Sequence, residues 1–346
     1  YKRTDNGVHR LEDLGEICLE AQHYETAIEL FEFIRENTPD PISRLNAQLN
    51  LIDIDLITKG EKIHEKAQKR YVEHMAAYGY APQSLQLQVA YANFLAFQLG
   101  NAQEAIDILD KSLEMPLNAH GEAAIKLALG DILVFDQRFN QALIHFTQVQ
   151  KRLKNDVLGQ NARYKVAQTS FYKGDFDWAF TQLKVLRGST SQLIANDAMQ
   201  LSLLISDNSL EDSTQTALKK YARADLMAYQ GKVPEALDIL NDILENHKGE
   251  KIEDEALLRQ GELLEAQGNL DAARFNFLKI TEFYGDGILA DDAHFALGEL
   301  YRNKLNQPKK AQEHYEKIIY NYQDSYYYPH ARRYFRRLRG DKVGEL

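Results

Sequence analysis

Residues 254–280, DEALLRQGELLEAQGNLDAARFNFLKI, carry the clearest evidence of the fold. Their apolar residues recur three and four positions apart, which is the spacing of one face of an α-helix. The polar turn at Gly268–Asn269 divides the pattern into two amphipathic helices. In the second helix, Phe277 follows Ala273 by four residues. The small residue lets two antiparallel helices approach closely, and the large residue fills the space behind it.

The same combination of an alanine and a bulky apolar residue recurs along the chain. Successive alanines are 40, 38, 37, 37, 57, 37 and 38 residues apart. A pattern repeated at this interval predicts a stack of similar helix pairs. Its members are Ala27/Phe31, Ala67/Tyr71, Ala105/Leu109, Ala142/Phe146, Ala179/Leu183, Ala236/Leu240, Ala273/Phe277 and Ala311/Tyr315.

These residues resemble the tetratricopeptide repeat family over nearly the whole chain. That family has a Leu-Gly pair in the first helix of each repeat, a Gly-Asp/Asn-aromatic turn, and alanine and aromatic residues in the second helix. The resemblance implies an all-α, right-handed α-solenoid of about eight helix-turn-helix repeats, with one odd helix and a C-terminal capping helix. The matching residues include Leu14-Gly15, Leu129-Gly130, Gly174-Asp175-Phe176, Gly268-Asn269-Leu270 and Leu297-Gly298.

The one long interval between alanines predicts how the chain is divided. We expect an N-terminal array over residues 1–187, in which the repeat around 42–80 is degenerate. A linker over 188–213 contains an inserted helix at about 192–206, followed by a polar turn from Asp207 to Ser213. A second array covers 214–346 and ends in a basic capping helix at 329–339.

Composition and motifs argue against several classes of protein. No run of eighteen apolar residues exists, and the net charge of −10 disfavours nucleic acid as a general partner. The single cysteine, Cys18, excludes an internal disulfide, and its apolar helix position predicts a buried thiol. The chain has no glycine-rich phosphate loop, and Asp291-Asp292 with His294 favours a solvated helix start over a metal site. We therefore expect no enzyme activity, no cofactor and no metal.

The family resemblance implies that the first helix of each repeat lines a concave groove. At the central groove position, five of seven residues are acidic: Glu16, Phe94, Asp131, Gln168, Asp225, Glu262 and Glu299. Tyrosines at neighbouring positions, with Phe171, suit a partner segment with basic and apolar side chains. The alternative is that several of these tyrosines only pack between repeats. The predicted groove residues are Tyr164, Tyr172, Tyr221, Asp225, Tyr229, Glu262, Glu299 and Arg302.

The C-terminus is basic, unlike the rest of the chain. Between residues 330 and 342 it has six basic residues and one acid, Asp341. One interpretation is a capping helix with a solvated basic face. The other is a docking patch for an acidic protein, anionic lipid or RNA, of which the acidic body of the chain favours the protein. The basic residues are Arg332, Arg333, Arg336, Arg337, Arg339 and Lys342.

These features together favour a non-enzymatic scaffold or adaptor that binds an extended or helical segment of a partner protein. The alternatives are a nucleic-acid-binding helical repeat that uses the arginine-rich end, and a regulatory appendage of a larger protein. Because the chain begins at Tyr1, we expect that a preceding piece has been removed, which leaves the compartment open. Residues 290–301 and 322–325 loosely resemble bacterial cell-envelope members of the family, which favours the periplasm over the cytoplasm.

Overall fold

The computed structural model describes residues 5–189, 191–209 and 215–341, and in these ranges the chain is an all-α solenoid of repeats, as predicted. Short 3₁₀ segments lie at Gly60–Ile63 and Pro82–Ser84, and a π-helical turn lies at Phe94–Gln98. The α-helices are α1 (Asp5–Glu20), α2 (Tyr24–Asn37), α3 (Pro41–Lys59), α4 (His64–Tyr78), α5 (Leu85–Asn93), α6 (Ala102–Ser112), α7 (Ala119–Phe135), α8 (Phe139–Arg152), α9 (Val157–Lys173), α10 (Phe176–Leu186), α11 (Gln192–Ser209), α12 (Thr216–Tyr229), α13 (Val233–Asn246), α14 (Ile252–Ala266), α15 (Leu270–Phe283), α16 (Ala290–Asn303), α17 (Pro308–Asn321) and α18 (Tyr328–Arg339).

The helices form two compact units, which we call unit 1 and unit 2. Unit 1 comprises the described residues up to Thr169 together with Val185–Asn196, and unit 2 comprises Ser170–Lys184 and the described residues from Asp197 onward. In unit 1, α1 packs with α2, α5 with α6, and α7 with α8. In unit 2, α12 packs with α13, α14 with α15, and α16 with α17. The division into arrays at 188–213 remains a prediction.

The alanine and bulky residues of the repeated pattern form the core of the helix pairs. Every member of the eight pairs is at most 1% exposed. The prediction that these positions pack inside each repeat is therefore confirmed.

A glycine in the first helix makes room for the aromatic ring in the second. A Cβ placed on Gly298 would lie 2.5 Å from Cε1 of Tyr315, and one on Gly15 would lie 2.7 Å from two ring carbons of Phe31. Such separations are about 1 Å shorter than an ordinary carbon–carbon contact. The Leu-Gly pairs are therefore a consequence of close helix packing.

The odd helix α11 is longer than the sequence predicts. It continues through Asp207, Asn208 and Ser209, where a turn is expected. The amide of Asn208 donates to the Leu204 carbonyl at 2.9 Å, and the Ser209 hydroxyl donates to the Ile205 carbonyl. These side chains stay within the helix by bonding to its own backbone. The rest of the expected turn, residues 210–213, lies outside the described residues.

The apolar residues of α1 differ in their exposure. Leu14 and Ile17 are 46% and 59% exposed, whereas Leu11 and Leu19 pack against the core of α2 and α3. Cys18 packs beside them but is only half-buried, which corrects the prediction of a buried thiol.

Candidate functional site

Three of the predicted groove residues share one face of α12. Tyr221, Asp225 and Tyr229 are four residues apart, and residues at this spacing lie above one another on a helix. Tyr221 is half-buried, and Tyr229 is 40% exposed. The ring of Tyr229 is therefore available at the surface of unit 2.

Tyr172, near the end of α9, contacts this face. Its hydroxyl donates to Oδ2 of Asp225 at 3.2 Å, and its ring stacks on that of Tyr229 with centroids 6.3 Å apart. The two rings and the carboxylate thus belong to one contact network in unit 2. By contrast, the neighbouring Phe171 is 2% exposed and packs on Phe176, so its expected place in the groove is wrong.

Arg259 of α14 joins the two acidic residues of the predicted groove. Its guanidinium lies 2.8 Å from Oδ1 of Asp225 and 2.9 Å from Oε2 of Glu262. Burial alone lowers the pKa of Arg259, but the charges of Asp225 and Glu262 outweigh burial and raise it. Arg259 is not among the predicted groove residues, although it lies on the same helix as Glu262. Its position three residues before Glu262 is the signal that could have identified it.

We call this surface the tyrosine face. It consists of Tyr172, Tyr221, Asp225, Tyr229, Arg259 and Glu262, and every member belongs to unit 2. Two carboxylates share one guanidinium, so these six side chains carry a net charge of −1 when Asp225 and Glu262 are ionised.

Within the tyrosine face, Tyr221 lies beside the buried carboxyl of Glu255, which the sequence analysis did not identify. Burial raises the pKa of Tyr221, and the charges of Glu255, Asp225 and Glu262 raise it further. Glu255 is 9% exposed, and burial together with the charges of Asp254, Asp207 and Asp292 raises its pKa to about 8. Tyr221 therefore contributes mainly to packing, and Tyr229 contributes the exposed ring.

Glu299 and Arg302 lie one repeat further on and are engaged within unit 2. Glu299 accepts hydrogen bonds from the Tyr315 hydroxyl at 2.5 Å and from Arg302 at 2.8 Å. The guanidinium of Arg302 lies 3.7 Å from the ring centroid of Tyr334 in α18. These contacts tie the last helix pair to the final helix. The remaining predicted groove residue, Tyr164, is half-buried on the part of α9 that belongs to unit 1.

The predicted basic patch lies on α18, which begins at Tyr328, one residue earlier than expected. Arg332, Arg337 and Arg339 are exposed, and Arg333 and Arg336 are half-buried. Arg336 and Arg339 pair with Asp341. Lys342 lies outside the described residues. The basic face is therefore partly neutralised by Asp341.

Among the described residues, no group of three or more His, Cys, Asp or Glu side chains could hold a metal ion. None of the helices described above is long and apolar enough to span a membrane.

Models of the tetratricopeptide repeat match residues 221–283 and 292–325. A search of curated proteins gives no match. Among solved structures, the chain is similar to a tetratricopeptide repeat protein from Parabacteroides merdae, with 14% identity, a TM-score of 0.37, and coverage of 89% of this chain and 98% of that one. It is also similar to the tetratricopeptide repeat domain of P58(IPK), with 12% identity, a TM-score of 0.30, and coverage of 97% and 99%.

Proposed function

We propose that this chain is a repeat scaffold of the tetratricopeptide type for protein–protein interaction, and that it binds a segment of a partner protein on the tyrosine face. Tetratricopeptide repeat proteins are generally non-enzymatic scaffolds, and we propose a non-catalytic role here as well. The observation that carries the proposal is the network of Tyr172, Asp225, Tyr229 and Arg259, which holds an exposed ring in place.

The fixed position of Tyr229 supports binding. Its ring is 40% exposed, yet it stacks on Tyr172, whose hydroxyl is held by Asp225. A ring that is already held in place loses little conformational entropy when a partner covers it. Tyrosine also supplies a large contact area at low entropic cost. The tyrosine face is therefore organised before a partner arrives.

The charge of the tyrosine face favours a particular partner. Asp225 and Glu262 share Arg259, which leaves one negative charge uncompensated within this group. A segment with apolar side chains and a basic residue matches an aromatic surface of this charge. The proposed site residues are therefore Tyr172, Tyr221, Asp225, Tyr229 and Glu262, with Arg259 added from the structure. Glu299 and Arg302 are proposed only as further parts of the interaction surface of unit 2, and Tyr164 is proposed separately as a partner-binding residue of unit 1.

The basic face of α18 is a second proposed docking surface. Arg332 and Arg337 are exposed, whereas Arg336 and Arg339 are paired with Asp341. Two exposed guanidinium groups suit an acidic protein segment, since exposed arginines bind carboxylates through two parallel hydrogen bonds. If RNA binds this end instead, binding will weaken steeply with moderate salt.

A cross-linking pull-down from the source cell tests the tyrosine face. Wild type is compared with Tyr229→Ala and with the control Phe275→Ala. The control removes a ring that is also exposed, to 58%, from α15, the second helix of its pair. We expect a protein that wild type and Phe275→Ala capture and Tyr229→Ala loses. Equal capture by all three proteins would contradict the proposal, and loss only in Arg332→Ala/Arg337→Ala would move the binding surface to α18.

A further inference from the structure

Unit 1 contains a cleft of about 890 Å³, and Phe94, which the sequence places at the central groove position, is part of its lining. Its walls come from α3, α5, the π-helical turn and α7. This volume lies within the range of ligand-binding clefts, roughly 300–1,000 Å³. Most of the lining is apolar or aromatic and includes Leu56, Tyr71, Leu85, Val89, Phe94 and Phe97.

The π-helical turn Phe94–Gln98 forms one wall of the cleft. The backbone amide of Leu99 donates to the Phe94 carbonyl at 3.2 Å, which closes a turn one residue wider than an α-helical turn. Phe94 packs on Tyr71 with ring centroids 5.3 Å apart, and Phe97 meets Phe135 edge to face at 5.0 Å. The wall is therefore built of fixed rings. Wide turns of this kind are frequent at functional sites.

Asp53 places one carboxylate in this largely apolar lining. The Tyr71 hydroxyl donates to it at 3.4 Å, and burial raises the pKa of Asp53 to about 6 against the effect of that hydrogen bond. The next acid on the helix, Asp55, pairs with Lys59 and with Arg70. No basic side chain pairs with Asp53 among the described residues. The carboxylate in the cleft thus differs from its neighbour in lacking a cation.

The other polar groups in the lining do not neutralise Asp53. His120, the other titratable group in the lining besides Asp53 and Tyr71, lies 3.1 Å from Asp156. The rest of the polar side chains are amides: Gln86, Asn93, Gln98 and Asn118. The cleft therefore offers a single negative charge, apolar walls, and amides that can bond to a peptide backbone.

We propose that this cleft binds a segment of a partner protein that carries a lysine or arginine between apolar residues, with the cation placed against Asp53. A basic side chain complements the unpaired carboxylate, and the apolar residues beside it in the partner segment pack against the aromatic walls of the cleft. The lining extends over residues 53–124, across three successive repeats, and such an extended surface suits a length of chain. The inference rests on the role of this protein as an interaction scaffold but not on the tyrosine face.

Selection from a displayed library of random peptides of about twelve residues tests this inference without knowledge of the partner. The full chain is the target, and selected peptides are then measured against four variants. Asp53→Asn keeps the shape of the side chain and removes its charge. Asp107→Asn makes the same change on the exposed surface of α6. Val89→Arg fills the cleft with a side chain of the expected charge, and Tyr229→Ala alters only the tyrosine face.

We expect a class of peptides with a lysine or arginine flanked by apolar residues. Their affinity should fall about tenfold or more in both cleft variants. Asp53→Asn removes a charge-assisted hydrogen bond, and Val89→Arg occupies the space that the peptide needs. Asp107→Asn and Tyr229→Ala should bind them as wild type does. Helical circular dichroism and thermal unfolding establish that each variant is folded.

Several results would overturn the proposal for the cleft. These are a selection that yields no binding peptides, selected peptides without enrichment of basic residues, and affinities unchanged by Asp53→Asn and Val89→Arg. Peptides that lose affinity only in Tyr229→Ala would overturn it too, while supporting the tyrosine face. The cleft and the tyrosine face can therefore fail independently.

Discussion

Replacing Gly261 with alanine tests the packing rule on which the repeats depend. A Cβ at this position would lie 2.9 Å from Cδ1 and from Cζ of Phe277, and closer still to Cε1. Phe277 is 0% exposed, so its ring has no solvent-filled space into which it can move. Overpacking of this kind costs roughly 1–3 kcal/mol. Alanine has a helix propensity about 1 kcal/mol more favourable than that of glycine, which leaves a net loss of up to about 2 kcal/mol.

The chain supplies both a rescue and a control for Gly261→Ala. Phe277 follows Gly261 by sixteen residues, and Leu240 follows Ala224 by the same number. In the second pair, a larger first residue is therefore combined with a smaller second one. The double variant Gly261→Ala/Phe277→Leu should therefore lose less unfolding free energy than the two single variants lose together, by about 1 kcal/mol or more. The control is Gly121→Ala, whose new Cβ meets its neighbours at an ordinary 3.4 Å.

Hydrogen–deuterium exchange of peptides from α14 and α15 measures the local loss of stability directly. A loss of about 1.4 kcal/mol corresponds to tenfold faster exchange through local opening. Urea unfolding followed by circular dichroism gives the global value. Faster exchange in Gly261→Ala, partial recovery in the double variant and no loss in Gly121→Ala are the expected results. A stabilised Gly261→Ala, or additive single changes, would refute the packing rule.

Three further variants follow from the same structure. Ala142→Leu should cost roughly 1–3 kcal/mol of unfolding free energy because Ala142 is 0% exposed, whereas Gln148→Leu on the exposed side of α8 should cost little; equal melting curves would count against the repeat register. The pKa of Glu255 is raised to about 8 in the folded protein, so its contribution to stability is fully present below the unfolded pKa and is lost as the pH rises through 8. Glu255→Gln should therefore exceed wild type in stability by on the order of 2–4 kcal/mol above pH 8 and by much less near pH 5. The exposed control Glu282→Gln should have the same stability as wild type at both pH values. Glu299→Ala should destabilise unit 2 by about 2–3 kcal/mol, because it leaves the Tyr315 hydroxyl and Arg302 without their acceptor; a melting temperature equal to that of wild type would show that these hydrogen bonds contribute nothing.

The helix pairs could be predicted from sequence because the residues that pack inside each repeat lie close together in the chain. Ala273 and Phe277 are one turn apart on one helix, and their burial follows from that helix packing on its neighbour. The two prolines at helix starts have a local cause as well: Pro308 begins α17 and Pro234 is the second residue of α13, positions at which a helix tolerates proline.

Features that depend on contacts between distant residues could not be predicted. The ion pairs of Arg259 join α14 to α12, and nothing in the local sequence marks which acid it contacts besides Glu262. Likewise, the π-helical turn Phe94–Gln98 has no local sequence signature, because its wider geometry accompanies ring packing with other helices. The cleft at Asp53 therefore emerged only from the structure.

Two predicted groove tyrosines illustrate the same limit. Tyr221 and Tyr229 occupy equivalent places on one face of α12, and the sequence treats them alike. In the structure, Tyr221 is half-buried, whereas Tyr229 is 40% exposed. Which of the two is covered depends on the neighbouring helix, so the sequence could predict the face but not the exposed residue.

Site-specific photocross-linking at position 229 tests most directly whether this scaffold binds a partner protein on the tyrosine face. A photoreactive phenylalanine analogue replaces Tyr229 in one protein and Phe275 in another, and both are irradiated in the source cell. Our account predicts a cross-link from position 229, and none from 275, to a partner segment with apolar residues and a lysine or arginine. Absence of a cross-link at 229, or the same products from both positions, would contradict it.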